Sequence, residues 1–500
     1  MWRVSKRCAK RSFVLSPSDR TETILDSPSG VSEARATPEP HLFVLWSGKG
    51  AGSRHSLRGI DEVRVGRGSA LRVTRSHDGT VAVLTLELPC NALSSSHLAI
   101  QRAAGAWIAR DLGSKNGTLV QGERIARREL RDGDVIEAGR AVLRFRSSVP
   151  TLPTTSADVA GEEAARRPEG LRTLLPVLDA TFAGLLRVAR APVSILLLGP
   201  TGAGKEMAAR AVHEASGRAG PFVALNCGAI PASLVEATLF GHVRGAFSGA
   251  TRDELGTLRS AHGGTLLLDE VGDLPPSAQV AFLRALQGGE VTPVGASRPA
   301  FVDVRVVAAT HRPLGELVLS GAFREDLYAR LSGFVCELPA LRDRIEDLGL
   351  ILPSLLARLE ETHGRSVTLD RGVLGAMVAY SWPRNVRELA QHLAGGAALA
   401  DAAPIALTHL PQAVRDAANP PRPGANEPDA DEEEGRDAAR ANFPAVPYED
   451  DTALRALLHA LLGEHAGNVA AVSRALGRKP AQVHRWMKRV GLTPGPYRGE

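Results

Sequence analysis

Ser194-Ile-Leu-Leu-Leu-Gly199-Pro200-Thr201-Gly202-Ala203-Gly204-Lys205-Glu206 is the stretch from which the rest of the chain is read. An apolar run of strand length leads directly into three glycines and a lysine. Glycines let the backbone curl so that its N–H groups face a phosphate, and the lysine ammonium reaches the β and γ oxygens. The helix that follows adds the positive end of its dipole. The expected nucleotide contacts are therefore Gly199, Pro200, Thr201, Gly202, Ala203, Gly204, Lys205 and Glu206. Glu206 stands where Ser or Thr is usual, which weakens a purely generic match. A second apolar run, Gly264-Thr-Leu-Leu-Leu-Asp269-Glu270, ends in paired carboxylates. Ligands of open α/β sheets bind beyond the carboxyl ends of strands, so Asp269 is expected to hold Mg2+ and Glu270 to polarise an attacking water. Two solvated acids at a strand end are the plainer reading, and the glycine loop upstream argues against it.

Outward from this pair, SILLLG, FVALNC, GTLLLDE and VRVVAAT alternate with helical patterns from 171 to 411, which predicts an α/β fold with a parallel sheet. Residues 148–170, with Pro150, Pro153 and Pro168, read as a linker. Before it, residues 41–147 break into short apolar runs separated by Gly, Asp and Asn turns: VRV, VAVLTLEL, SHLAI, AWIA, GTLV, DVIEA and AVLRF. That spacing predicts an all-β sandwich. Residues 1–40 are rich in Ser, Arg and Pro without periodicity and read as a disordered arm. Residues 412–447, with several prolines and an acidic stretch from Asp429 to Glu434, read as a second linker. Residues 448–500 return to helix, with Leu454, Leu457, Leu458, Leu461 and Leu462 on one face.

Composition sets the outer bounds. A chain of 500 residues has room for three or four domains. Aromatics make up only 4%, so the cores must be built mainly from Leu, Val and Ala. The four cysteines form no CxxC pair, which argues against a zinc site and against a disulfide framework. No apolar run approaches the roughly 20 residues that span a bilayer. The basic start, MWRVSKRCAKRSFVL, lacks a secretory apolar segment, so a soluble, cytoplasmic protein with no membrane partner is expected. The net charge of +5 is by itself weak evidence for a nucleic-acid partner.

From about Leu171 to Leu410 the chain resembles the AAA+ domain of bacterial enhancer-binding proteins, the activators of sigma-54 RNA polymerase. In that family GKE follows the loop glycines, so Glu206 becomes support rather than anomaly. Gly245-Ala246-Phe247-Ser248-Gly249-Ala250, within LFGHVRGAFSGA, matches the family's GAFTGA loop, which contacts sigma-54. GGTLLLDEVGDLP, FREDLYARL, LPALRDRIEDL and WPRNVREL match in order, with the helical lid starting near 340. The resemblance implies that Asn226 tethers Glu270 and that Thr310 and His311 end the sensor I strand. It also makes Arg324 and Arg330 arginine fingers for a neighbouring subunit, and Arg387 the sensor II arginine. Fingers supplied in trans imply a ring, for which the family suggests a hexamer; a surface ion pair with Glu325 or Asp326 is the alternative for either arginine. Three residues depart from the family: Ser248 for Thr, His311 for Asn and Arg384 for Gly.

At the C-terminal end, a short helix closes at Gly477, and Pro480 suits the first turn of the next. Val483, Trp486, Met487 and Val490 share one face of that helix, while Gln482, Arg485 and Arg489 share the other. The layout is similar to the factor-for-inversion-stimulation type of helix-turn-helix. With Lys479 it implies binding to double-stranded DNA, with a helical oligomerisation bundle as the alternative. Residues 42–147 resemble a forkhead-associated (FHA) domain through Gly66-Arg67, Ser94 and His97, and Asp111-Leu-Gly-Ser-Lys-Asn116-Gly117-Thr. The resemblance implies phosphothreonine recognition: Arg67 and Ser94 on the phosphate, Asn116 on the peptide backbone, and His97 as a brace. Ser95 stands where Arg is common, and a sandwich that docks an unphosphorylated partner, or its own ATPase, remains the alternative.

Together these readings imply a sigma-54-dependent regulator that binds upstream DNA, hydrolyses ATP with Mg2+ and answers to a phosphothreonine protein or segment. Intact Asp269, Glu270, Arg324 and Arg330 argue against a scaffold that only binds nucleotide, and the retained Phe247 loop argues against action on ordinary polymerase. No receiver-domain aspartate pattern precedes the ATPase, so no aspartyl phosphorelay input is expected.

Overall fold

The computed structural model describes residues 36–48, 50, 52–418, 451–465, 468–476 and 480–493. The chain divides into two units at Pro420/Pro421. The expected arm lies outside the described residues apart from its last few, which start the first strand at Thr37.

The first unit opens with the expected β-sandwich. Its strands are β1 (Thr37–Trp46), β2 (Ser53–Ser56), β3 (Glu62–Arg67), β4 (Arg72–Asp78), β5 (Val81–Leu88), β6 (Leu98–Ala103) and β7 (Ala106–Asp111). They continue with β8 (Thr118–Val120), β9 (Glu123–Ile125), β10 (Arg127–Glu129), β11 (Val135–Ala138), β12 (Ala141–Thr151) and β13 (Asp158–Val159). One sheet runs β13-β2-β1-β12-β11-β8-β9 and the other β10-β7-β6-β3-β5-β4. β5 alternates as a strand with one buried face should. β1 does not: its His41-Leu-Phe-Val-Leu45 run is buried throughout. A continuous apolar strand is covered on both sides. Leu42 and Val44 face the sandwich core, whereas Phe43 and Leu45 belong to a second core formed with the ATPase lid.

Residues 148–170 are part of the fold rather than a free linker. β12 runs on to Thr151, opposite Thr37, and β13 adds itself to the edge of the sheet beside β2. Asp158 fixes that edge, accepting from His55 Nδ1 at 2.8 Å and Arg75 Nε at 2.7 Å. Burial pushes the His55 pKa down, and the His55 and Arg75 hydrogen bonds hold the Asp158 carboxyl below its usual range against its own burial.

The ATPase core is a five-stranded parallel sheet, β15-β16-β19-β14-β20, built from β14 (Ile195–Leu198), β15 (Phe222–Asn226), β16 (Thr265–Asp269), β19 (Arg305–Thr310) and β20 (Phe334–Glu337). β17 (Glu290–Val291) and β18 (Ala300–Phe301) form a separate hairpin. Again the apolar runs are unbroken because helices cover both faces. Leu196, Leu266, Leu268 and Ala308 face one core, and Ile195, Leu197, Leu267 and Ala309 the other. β20 was not among the expected strands; its Phe-Val-Cys-Glu is too short and mixed to read as one.

The lid begins with a turn at Leu341–Asp347 and continues through helices Leu348–His363, Val373–Ala379 and Asn385–Leu399. Residues Gln412–Ala418, expected to open a linker, form a further helix that adds Val414 to the same core. The sandwich packs directly on this lid. The Gly52 N–H donates to Gly349 O at 2.7 Å, and the two backbones cross so closely that a Cβ on Gly52 would lie 2.8 Å from Gly349 Cα. Arg54, almost fully buried, reaches Leu174 O and Ser156 O. Arg146 Nη1 and Arg144 Nε meet Glu346 Oε1 at 2.6 and 3.3 Å.

Among the described residues the second unit holds three helices, Asp451–Glu464, Val469–Ala475 and Pro480–Arg489, around a core that includes Leu454, Leu458, Leu462, Val472, Val483, Trp486 and Met487. Among the described residues no helix is long and apolar enough to cross a membrane.

Candidate functional site

Three parallel strands deliver the expected catalytic groups to one sheet end. In register, Leu198 lies opposite Thr310 and Asp269 opposite Ala309. The loop from Gly199 to Gly204 leaves β14 and opens the helix Lys205–Ser216. Gly202, at φ 79°, passes so close to the lid that a Cβ would fall 2.2 Å from Arg384 O. Lys205 is buried, and its Nζ donates to Gly199 O at 2.8 Å and Pro200 O at 3.3 Å. Burial lowers its pKa, while the charges of Glu270 and Asp269 work the other way. Burial and the neighbouring Glu270 charge raise that of Asp269, with Lys205 opposing. An ammonium and two crowded carboxylates beside a curled glycine loop fit a polyphosphate and a divalent cation. Glu206 is exposed and pairs with Arg210 at 2.8 Å, one turn along its helix.

Glu270 is held differently from expectation. Its backbone is left-handed, φ 54° and ψ 49°, a strained state that costs about 1–3 kcal/mol and occurs where function demands it. Its Oε2 accepts from His311 Nδ1 at 2.8 Å, the His311 N–H at 3.3 Å and Thr310 Oγ1 at 3.4 Å. Asn226 was expected to tether it. The Asn226 Oδ1 instead accepts the Gly228 N–H at 3.0 Å, because the chain turns sharply after β15 and the amide caps that turn.

The lid closes on the loop through residues that sequence reading assigned no role. Asn385 Nδ2 donates to Thr201 O at 2.9 Å, Asn385 Oδ1 accepts the Leu341 N–H at 2.7 Å, and the Val386 N–H donates to Gly202 O at 3.1 Å. Arg344 Nη2 reaches Ala203 O at 2.6 Å. Arg387 follows on the same helix, and its charge acts on Lys205. A cleft lined by Gly170, Ala203, Gly204, Met207, Leu350 and Val386 opens beside the loop. Arg324 lies on the surface in an ion pair with Asp326 at 2.7 Å, and Arg330 Nη2 donates to Leu286 O at 3.2 Å. The ion pair raises the Arg324 pKa.

Gly245 to Ala250 forms a tight excursion closed by the Gly245 N–H to Ala250 O bond at 2.9 Å. Gly245 and Gly249 are both left-handed. Phe247 is 37% exposed and packs on His242, ring centroids 4.9 Å apart. Ser248 is exposed.

In the sandwich, the end of β3 and the loops after β5 and β7 bring Arg67, Ser94 and Asn116 to one end. The Arg67 N–H donates to Ser94 O at 2.9 Å, Ser94 Oγ accepts the Lys115 N–H at 3.2 Å, and Asn116 Nδ2 donates to Ala92 O at 2.8 Å. His97 is buried and braces both loops, accepting the Ser94 N–H on Nδ1 at 3.1 Å and pairing Nε2 with Gly117 O at 3.3 Å. Asp111 ties its own loop through Ser114 and Thr118. Two cations join this end that sequence reading missed: exposed Lys115, and Arg124, whose guanidinium lies where a Gly117 Cβ would point. In the second unit Arg485 and Arg489 are exposed beside Lys488, away from Trp486 and Met487. Lys479 and the side chain of Gln482 lie outside the described residues.

Comparison with known proteins agrees with this geometry. Residues 63–139 match the FHA domain, 175–337 the sigma-54 interaction domain and 342–427 the AAA+ ATPase lid domain. The transcriptional regulatory protein GlrR of Escherichia coli K12 is 36% identical over 332 residues, 66% of this chain and 70% of its own. The anaerobic nitric oxide reductase transcription regulator NorR of Enterobacter sp. strain 638 is 38% identical over 363 residues, 70% of this chain and 67% of its own. The hydrogenase transcriptional regulatory protein HoxA of Cupriavidus necator is 45% identical over 264 residues, 52% of this chain and 55% of its own, so the match spans little more than half of that relative. This chain therefore belongs to the family of transcriptional regulators built on a sigma-54 interaction domain of the AAA+ ATPase type, here with an FHA domain.

Proposed function

We propose that this protein hydrolyses ATP to remodel the closed sigma-54 RNA polymerase complex, under control of a phosphothreonine ligand on its FHA domain. The observation that carries the reading is the convergence of Lys205, Asp269 and Glu270 at one sheet end of a domain that also presents Phe247 on an exposed loop. Lys205 exchanges the Gly199 and Pro200 carbonyls for phosphate oxygens of ATP, and the Gly170–Val386 cleft takes the base. Asp269 is the residue to hold Mg2+, which supplies neutralising charge to the transferred phosphoryl group. Glu270 orients the water and takes its proton. Arg324 and Arg330, on the surface, serve the site of a neighbouring subunit in a ring, with a hexamer the expected size. Phe247 and its loop touch sigma-54.

Upstream DNA is held by the C-terminal helices through the basic face of Arg485, Lys488 and Arg489, together with Lys479 and Gln482. Arg67, Ser94 and Asn116 read the phosphothreonine. Since the sandwich and the lid share one core, a ligand on the sandwich has a direct physical path to the ATPase.

The test is transcription in vitro from a sigma-54 promoter, with wild-type and Glu270→Gln protein, with and without phosphorylation of candidate partners by a threonine kinase. ATP-dependent transcripts from the wild type alone support the reading. Equal transcription by Glu270→Gln, or activity only with a polymerase lacking sigma-54, would overturn it.

A further inference from the structure

We propose that His311 is the positioning residue of the catalytic base, fixing the Glu270 carboxylate at the open end of the sheet; this rests on the reading of Glu270 as the base. Glu270 leaves β16 in a left-handed conformation, so the strand itself does not aim its side chain. Something else must, and every donor to its Oε2 comes from Thr310, the last residue of β19, or from His311 just after it. The shortest contact is His311 Nδ1, at 2.8 Å. Thr310 Oγ1 is the longest, at 3.4 Å, and that hydroxyl already accepts the Arg312 N–H.

An ionised carboxylate can only accept, so His311 must carry a proton on Nδ1 and donate it into this bond. Backbone and ring of one residue then grip the same oxygen. Such a grip fixes direction as well as distance, and hydrogen bonds to a charged acceptor are the stronger class.

His311 is itself held on both sides. Before it, Thr310 is fully buried, and its carbonyl accepts the Gly199 N–H that starts the phosphate loop. After it, Arg312 Nη1 donates to Gly272 O at 3.1 Å and Asp273 Oδ1 at 2.7 Å, residues two and three places after Glu270. The β16 and β19 ends are thereby stitched together around the base. Asn226 takes no part in the stitch, being occupied with Gly228.

His311 is 47% exposed at its side chain, so replacing it leaves no cavity and removes only the grip. It makes no bond to the phosphate loop through its side chain. Its loss should therefore act on the chemical step, lowering kcat with little change in KM.

The experiment measures steady-state ATPase kcat and KM on the full chain for wild type, His311→Ala, His311→Asn, Glu270→Gln and the His311→Ala/Glu270→Gln double variant. A fluorescent ATP analogue reports nucleotide affinity in parallel. The expected result is a kcat reduced about 10- to 100-fold in His311→Ala, with KM and analogue affinity within about threefold of wild type. His311→Asn, whose amide can donate to the same oxygen, should recover most of the loss. The double variant should be no slower than Glu270→Gln, because a positioning residue has nothing left to position. Wild-type kcat in His311→Ala, failure of Asn to rescue, or a further loss in the double variant would each overturn the proposal while leaving Glu270 as the base. Wild-type turnover by Glu270→Gln would remove the base assignment and the proposal with it.

Discussion

Glu346 should be the most sensitive charged residue in the joint between sandwich and lid. Its side chain is 1% exposed and faces two guanidiniums across 200 residues of sequence, Arg146 at 2.6 Å and Arg144 at 3.3 Å. Glu346→Ala leaves both cations in place without it. Arg146 keeps Asp132 at 3.2 Å and is a quarter exposed, so part of its charge remains paired and solvated. Arg144 has no such relief: burial already lowers its pKa, and Glu346 is the chief charge opposing that shift. Removing one partner of a buried pair costs about 3–5 kcal/mol, and the surviving Asp132 contact places this case near 3 kcal/mol, or roughly 150-fold in the docking equilibrium. Hydrogen exchange of the Gly52 amide reads that equilibrium directly, because its acceptor, Gly349 O, lies across the joint. Exchange should speed up by roughly that factor in Glu346→Ala. A double-mutant cycle with Arg144→Ala should be strongly non-additive, since the second change removes the stranded charge. Additive effects, or protection at Gly52 that does not change, would show that the apolar core alone holds the domains together and that the ion pairs are incidental.

Other expectations are sharp enough to fail. Arg324→Ala should lower kcat by roughly 10³-fold, with partial recovery when it is mixed with Lys205→Ala protein; a loss that mixing cannot relieve would mean the arginine acts within its own subunit. Arg67→Ala should weaken a phosphothreonine peptide by about one to two decades in calorimetry, Lys115 and Arg124 preserving the remainder; unchanged affinity would remove Arg67 from the phosphate site. Arg485→Ala should weaken DNA binding at moderate salt in a gel-shift assay and leave ATP turnover unaltered. His41 is fully buried, and burial lowers its pKa to about 4. The unfolded chain binds its proton near pH 6.5 while the folded one does not, so its contribution is present above pH 6.5 and is lost as pH falls toward 4, by up to roughly 3 kcal/mol. The denaturation midpoint of wild type should therefore fall more steeply over that window than that of His41→Phe, and parallel curves would refute the assignment.

What the sequence disclosed was local. The phosphate loop, the Asp269-Glu270 strand end and the Phe247 loop are each contiguous, and the physics that shapes each lies within a dozen residues. The sandwich was legible for the same reason, from short apolar runs and turn spacing. Long-range pairings were not. Pro150, Pro153 and Pro168 made 148–170 look like free linker, yet Asp158 meets His55 and Arg75, 103 and 83 residues earlier in the chain, at a sheet edge. The apolar run at His41–Leu45 held the one visible hint of the lid contact, since a half-exposed sandwich strand would alternate. His311 looked like a departure at a sensor position; that it reaches Glu270, and that Asn226 does not, depends on where a left-handed residue sends a side chain.

The lid turn ties the two halves of the first unit together. Between Leu341 and Asp347 the chain bonds to four different places. The Leu341 N–H goes to Asn385, which in turn holds Thr201. Arg344 holds Ala203 in the phosphate loop. Glu346 holds the sandwich through Arg144 and Arg146. Asp347 Oδ1 accepts from Thr173 Oγ1 at 3.0 Å and the Leu174 N–H at 2.7 Å, at the entrance to the ATPase core. Burial pushes the Asp347 carboxyl up to about 7, with Arg344 as the main opposing charge. A turn of seven residues with partners in the phosphate loop, the lid helix, the core entrance and the sandwich has no slack. A shift of this turn relative to the sandwich would stretch the Glu346 contacts with Arg144 and Arg146. By the reciprocity of linked equilibria, if docking of the sandwich shifts this turn, a ligand on the phosphate loop must shift docking by the same free energy.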